Sequence, residues 1–338
     1  MARRNTTPEP TNEQIFNILH DELTNVYEKQ RLLISIGLSE IESQLLATYV
    51  ERKRNESENE NASATENETP QITPETTPHL WQIIEAGLAN YTFGVEIECF
   101  APRGTIVDNA TNQGLDVRSE GYNHDDVTDH HKLVSDGSLC GCPDPVEFVT
   151  AVLPFENVES SLKAITKTLA ASNAKVNKSC GLHVHVATPT LTDAQYCNVF
   201  VNYMHLEPLI DSWLAPSRKN NEYSRSLRSV FSSVMNATNP SEMARACGCS
   251  RYYKVNPMAY SRHRTIEFRQ HQGTVEFEKI FNWLRFCAKL VEFSKDHRLN
   301  ESTAPTQIED IEFLNDNEKA YFKARAAHFA SRAESIAA

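Results

Sequence analysis

In Thr265-Ile266-Glu267-Phe268-Arg269-Gln270-His271-Gln272-Gly273-Thr274 an acid, a guanidinium and an imidazole fall at every second position. On a strand, residues two apart share a face. The spacing therefore predicts that Glu267, Arg269 and His271 project together while Ile266 and Phe268 turn into apolar packing. Three further stretches repeat the scheme. In Tyr91 to Cys99, Phe93, Val95, Ile97 and Cys99 form an apolar face and leave Glu96 and Glu98 side by side on the other. In Val146-Glu147-Phe148-Val149, Glu147 opposes Val146 and Phe148, and in Leu182-His183-Val184-His185-Val186 both imidazoles share one side. If these four strands lie in one sheet, its polar face carries Glu96, Glu98, Glu147, Glu267, His183, His185 and Arg269. A solvated face alternates in the same way, but it is usually filled with Lys, Thr, Ser and Gln. Four carboxylates on one surface repel one another unless cations lie between them, so the pattern predicts the inner wall of a metal and phosphate site.

The rest of the chain supplies a cover for the apolar face. Val158, Leu162, Ile165 and Leu169 recur at helical intervals between Asn157 and Ser172. Thr192 with Gln195 forms a capping box ahead of Phe200, Met204, Leu209 and Trp213, and a third helix follows Gly273-Thr274 through Phe277, Ile280, Leu284, Cys287 and Val291. The expected class is α+β: a curved, mainly antiparallel sheet with helices on one face and an open concave face on the other. An Ala-rich stretch from about Asn317 to Ile336 reads as a further helix. The polar segment from Arg103 to His131, with His124, Asp125, Asp126, Asp129, His130 and His131, reads as a loop over the site whose polarity is that of exposure rather than of metal ligation. Lys132 to Ser135 reads as a short strand and Asp136-Gly137-Ser138 as a turn.

Ahead of this domain, expected over residues 80–338, residues 1–54 read as a helical hairpin. It carries capping boxes at Thr11/Gln14 and Ser39/Glu42. Too small for a core of its own, it is expected to serve self-association or a protein contact. Residues 55–79 hold six acids, no Lys or Arg and almost nothing apolar, the composition of a disordered linker.

Charge narrows the function. A net charge of −12 over 338 residues argues against a nucleic-acid partner. The segment from Pro216 to Gln270 nevertheless holds ten bases against three acids. Arg218, Arg251, Arg264 and Arg269 lie within it, an excess suited to a small polyanion such as a nucleotide triphosphate. No run approaches the ~20 apolar residues of a membrane span. The N-terminus lacks a secretory core, and eight cysteines without a signal suggest reduced thiols in the cytoplasm. Cys140-Gly-Cys142 and Cys247-Gly-Cys249 are spaced too tightly for the usual zinc pairs. No GxxxxGK[ST], GxGxxG or GxSxG motif is found, so a bound nucleotide would be held by side chains and metals.

Phe93-Gly94-Val95-Glu96-Ile97-Glu98, Asp136-Gly137-Ser138 with Val146-Glu147-Phe148-Val149, Cys180-Gly181-Leu182-His183-Val184-His185-Val186 and Thr265-Ile266-Glu267-Phe268-Arg269 follow in this order. Ser217-Arg218 and Tyr253-Lys254-Val255-Asn256 stand between the last two. Together they resemble the ordered signature of the amidoligase family, relatives of glutamine synthetase and glutamate-cysteine ligase, over residues 91–295. The resemblance implies a glutamine synthetase-like sheet whose concave face binds ATP and two or three divalent cations, Mg2+ or Mn2+. It also implies ligation of a small-molecule or peptide carboxylate to an amine. By the same resemblance Glu96, Glu98, Glu147, His183 and Glu267 are metal ligands. His185 lies nearer the nucleotide, and Arg269 meets the transferring phosphoryl group. Cys140 to Pro145 form an insertion relative to the pattern and leave the register of the Glu147 strand open. The chemistry suits these residues, because an anionic carboxylate takes a phosphoryl group from anionic ATP only where cations and a guanidinium offset the charge. His271 and Asp136 are candidates for the base that serves the amine. Phosphoryl transfer onto a nitrogen, and a binding module working through the N-terminal hairpin, are the alternatives.

Overall fold

A computed structural model of the chain describes residues 78–123, 127–187 and 191–337. The chain divides into two compact units, Met1–Ile83 and Ile84–Ala338. The expected hairpin over 1–54, nearly all of the linker, and His124, Asp125 and Asp126 lie outside the described residues.

A helix, α1 (Leu80–Gly87), leads into the central strand β1 (Thr92–Phe100). Phe93, Val95, Ile97 and Cys99 are buried to 1 % exposure or less. The alternation read from the sequence is therefore the alternation of the sheet. The segment expected as a loop instead contains α2 (Arg103–Asn112) and a short strand, β2 (Val117–Ser119). Only Ile106 and Ala110 of α2 are buried. A helix resting on two small contacts, and carrying Gly, Thr, Val and Asn, shows no apolar period to read. After β3 (His131–Val134), β4 (Pro145–Val149) and β5 (Leu153–Pro154) comes α3 (Phe155–Ala171), then β6 (Gly181–Ala187) and α4 (Asp193–Trp213). Thr192 and Gln195 form the expected capping box of α4. Two short helices, α5 (Phe231–Asn236) and α6 (Pro240–Ala246), precede β7 (Val255–Asn256), α7 (Ala259–His263) and β8 (Thr265–Gln272), and α8 (Phe277–Phe293) and α9 (Asp316–Ala337) close the chain.

The strands form one open sheet in the order β2-β3-β4-β1-β6-β8-β7, with β5 also paired to β1. All pairings are antiparallel except that of β2 with β3. The architecture is α+β with a mostly antiparallel sheet, and α3, α4 and α8 pack on its apolar side. Phe93 meets Phe155 of α3, and Phe268 meets Tyr203 of α4 at 5.7 Å between ring centres. Leu182, Val184, Val186, Phe148 and Phe268 are completely buried there. Each such side chain contributes about 1.5–3 kcal/mol relative to exposure. This core fixes which way the other face looks.

Register and one irregularity position the site. Glu98 pairs with Glu147, Glu96 with His183, and His185 with Glu267. The register left open by the Cys140–Pro145 insertion is thus the one that sets Glu147 against β1. Between the pairs Leu182/His271 and Val184/Phe268 the ladder shifts. His183 alone then stands opposite both Arg269 and Gln270, which is a β-bulge in β8. The extra residue reverses the side on which the following side chains emerge. His271, expected to project with Glu267 and Arg269, instead lies on the helix side, its ring 5.5 Å from that of Trp283 in α8.

Candidate metal and phosphate site

The polar face of the sheet floors a hollow of about 790 Å³. Its lining includes Glu147 of β4, Glu96 and Glu98 of β1, His183 and His185 of β6, and Glu267 and Arg269 of β8. Every strand residue expected at the site except His271 therefore lines this one hollow. Two sets of possible ligand atoms, each within 4.8 Å of one another, share His183: Glu96, His183 and Glu267, and Glu98, Glu147 and His183. Among the described residues, neither set includes a cysteine, and all eight thiols are free.

The imidazole of His183 sits between the two sets. Its Nδ1 is 2.8 Å from Glu96 Oε2 and its Nε2 is 3.7 Å from Glu98 Oε1. A neutral imidazole has one lone pair and one N–H. One ring nitrogen can thus serve as a ligand while the other donates to a glutamate and fixes the ring. Glu98 is further held by the Gly181 N–H, 2.5 Å from Oε2. A Cβ at Gly181 would come within 3.0 Å of His183 Nε2, 3.4 Å of Arg218 Nη2 and 3.5 Å of Glu98 Oε2. Only a hydrogen fits comfortably there.

Electrostatics divide the carboxylates. Burial pushes Glu147 up, and Glu96, Glu98 and Asp136 push it further, so its carboxyl titrates well above the usual range. Burial acts on Glu96 in the same direction, but His183 and His185 outweigh it and hold that group well below. Glu267 is also held low against its burial, chiefly by Arg269 and then His185. Arg269 Nη1 donates to Glu267 Oε1 at 2.5 Å and Asn256 Nδ2 to Oε2 at 2.5 Å. Each oxygen keeps a second lone pair for a cation. His185 Nε2 lies 3.3 Å from Glu96 Oε1 and its Nδ1 2.9 Å from Thr265 Oγ1. Burial lowers the affinity of His185 for a proton, but Glu267 and Glu96 reverse the balance and raise it.

Four carboxylates and one imidazole form an oxygen-rich donor set suited to Mg2+ or Mn2+. Burial first, and then the neighbouring Glu96, Glu98 and Asp136, disfavour the Glu147 anion, and a divalent ion would offset both. The residues fit the metal.

The bases are distributed more selectively than their number suggests. Arg218, Arg251 and Arg269 line the hollow. Arg264 does not. It ends α7 in the left-handed conformation, φ 57°, with its guanidinium over the Tyr260 ring at 5.4 Å. Lys254 is completely buried between Glu207 and Asp211 of α4. Of the proposed bases, His271 is excluded by its place against Trp283, where burial pushes its imidazole down to about 3. Asp136 lines the hollow and accepts a 2.6 Å bond from the Ser138 N–H. His130 is held by Glu120 at 2.8 Å and Asp129 at 3.0 Å, while His131 packs on Phe148. His130 and His131 belong to the scaffold.

Sequence reasoning assigned no role to Asn256, Tyr223, Tyr252, Arg262 or His263, all of which line the hollow. Asn256 stood in the Tyr253–Asn256 motif and could have been found. Tyr223 and Tyr252 come from irregular chain, and Arg262 and His263 from α7, whose five residues are too few to show a period that marks a face.

A family model described as "putative amidoligase enzyme" matches residues 89–291. No curated protein matches the chain.

Proposed function

The chain belongs to the amidoligase family, and on that premise we propose that it is an ATP- and Mg2+-dependent ligase. It joins a carboxylate to an amine through an acyl phosphate and forms an amide or peptide-like bond on a glutamine synthetase-like sheet. The observation that carries this reading is the convergence of Glu96, Glu98, Glu147, Glu267 and His183 beside Arg269 in one hollow. Cations held by the glutamates and His183 would screen the phosphate oxygens and draw two anions together.

The chain's own residues supply the remainder. Arg269 offers a fixed cation where charge builds on the transferring phosphoryl group. Its ion pair with Glu267 holds the guanidinium on the sheet. His185, charged more readily than an ordinary histidine, adds a second donor toward the nucleotide. Arg218 and Arg251 provide positive potential along the wall. The substrate carboxylate attacks the γ-phosphorus and ADP leaves; the amine nitrogen then attacks the acyl carbon and orthophosphate leaves. The proton lost by the amine goes to Asp136 or to water. The eight free thiols fit a cytoplasmic setting, and no helix among the described residues is long and apolar enough to cross a membrane.

The test is a screen of acids and amines with ATP and Mg2+, read as ADP release and as the mass of the condensed product. Release that needs both an acid and an amine, with orthophosphate formed, supports the ligase. A stable N-phosphorylated product would make the protein a phosphotransferase. Absence of heat on titrating ATP and Mg2+ into the protein would leave a binding module.

A further inference from the structure

A regular β8 would carry Glu267, Arg269 and His271 on one face, and the bulge prevents this. The carbonyls of the bulged pair are taken up by Arg218: Nη2 donates to Arg269 O at 2.6 Å and Nε to Gln270 O at 3.1 Å. On the helix side the completely buried Gln270 accepts from Tyr203 Oη at 2.5 Å and donates to Asp211 Oδ1 at 2.5 Å. The same Asp211 oxygen accepts from Lys254 Nζ at 2.7 Å, and Lys254 O accepts the Arg269 N–H at 2.8 Å. These contacts close a ring: Lys254 side chain, Asp211, Gln270, the Arg269 backbone, and back to Lys254.

Stability alone does not require such a ring. A buried ion-pair network is seldom better than apolar residues of the same volume, whereas it does specify one register over another. We propose that Asp211, Gln270 and Lys254 are positioning residues for Arg269, and that their bonds hold the β8 bulge, which anchors the Arg269 backbone beside the hollow and turns His271 away from it. Neither Asp211 nor Gln270 lines the hollow. The role given to Arg269 rests on the ligase reading; the geometry of the bulge does not.

The test uses the full chain with Asp211→Leu and Gln270→Met, and Asp211→Asn as the conservative variant that keeps an acceptor for Gln270. In the parent, NMR of the imidazoles should show His271 neutral from about pH 4 to 8. In Asp211→Leu and Gln270→Met the strand straightens, His271 turns into the hollow and titrates, and kcat falls about 100-fold with KM for ATP little changed. Asp211→Asn should restore most of kcat and the silence of His271. Both disruptive variants keeping His271 silent and kcat intact would overturn the proposal. Should neither fold, amide exchange in the parent decides it: protection of the Arg269 N–H equal to that of Phe268 supports the ring, and loop-like exchange overturns it. If the parent shows no ATP turnover the ligase reading fails, yet the His271 titration still decides the role of the ring.

Discussion

Glu98 and Glu147 stand directly opposite each other on β1 and β4, 4 % and 1 % exposed. With ligand atoms within 4.8 Å, the two as charged groups would repel by about 3.5 kcal/mol at an effective dielectric of about 20. A carboxylate pair so placed strains the fold at any pH where both are ionised. Glu147→Gln removes the repulsion. It should raise the melting midpoint of the cation-free protein at pH 8 by about 2–4 °C per kcal/mol recovered and abolish the further rise on adding Mg2+. Thermal scans with and without Mg2+ check both; a midpoint lowered without the metal would contradict the repulsion.

The pH dependence follows from opposed shifts. Glu147, raised above its ordinary 4.5, stabilises the fold in its protonated form, and that contribution is lost as pH rises through its folded value. Glu96 and Glu267, held low, contribute at pH above the ordinary value and lose that contribution as pH falls through their folded values. Cation-free protein should therefore soften toward alkaline pH and Mg2+ should cancel the loss. Because a ligand carboxyl must shed its proton, Mg2+ affinity should rise with pH and binding should release protons. Calorimetry in buffers of different ionisation enthalpy reads the release. Affinity unchanged between about pH 5 and 8 would remove Glu147 from the ligand set.

Gly181→Ala tests the site without touching a ligand. Its methyl group would press on His183 Nε2 at 3.0 Å and lie in ordinary contact with the Glu98 carboxylate at 3.5 Å. Mg2+ affinity should fall about tenfold or more while far-ultraviolet circular dichroism stays unchanged. Affinity equal to that of the parent would mean the two groups do not act as a pair.

Arg269→Ala should lower ATP turnover about 1,000-fold. The fold should persist, because Asn256 and His185 still face Glu267. Turnover within a few-fold of the parent, in protein with an intact melting transition, would refute the role of Arg269.

Far from the hollow, completely buried Lys289 of α8 lies 2.9 Å from Glu85 and 2.7 Å from Glu318. Lys289→Ala leaves two acids partly buried, and should cost about 3–5 kcal/mol of stability without altering Mg2+ affinity in the folded fraction. Urea unfolding measures the first and calorimetry the second; no loss of stability would show that Arg285, 2.5 Å from Glu85 and 2.9 Å from Glu318, suffices alone.

Alternation was enough to sort β1, β4 and β6 into faces. The side of a strand a residue takes is set by its own backbone, and the apolar partners of Glu96, Glu98, Glu147, His183 and His185 leave those five no other direction. The capping box of α4 and the apolar stripes of α3 and α8 are equally local and were equally readable. What the sequence could not fix was where that local rule is broken. The bulge that turns His271 from the hollow to Trp283 is set by bonds from Arg218, Lys254 and Asp211, remote in sequence from the residue they redirect. Remote partners likewise decided that Lys254 is buried against α4 and that Arg264 stays outside the site. Propensity and period act within a few residues; register and charge pairing arise only when distant segments meet.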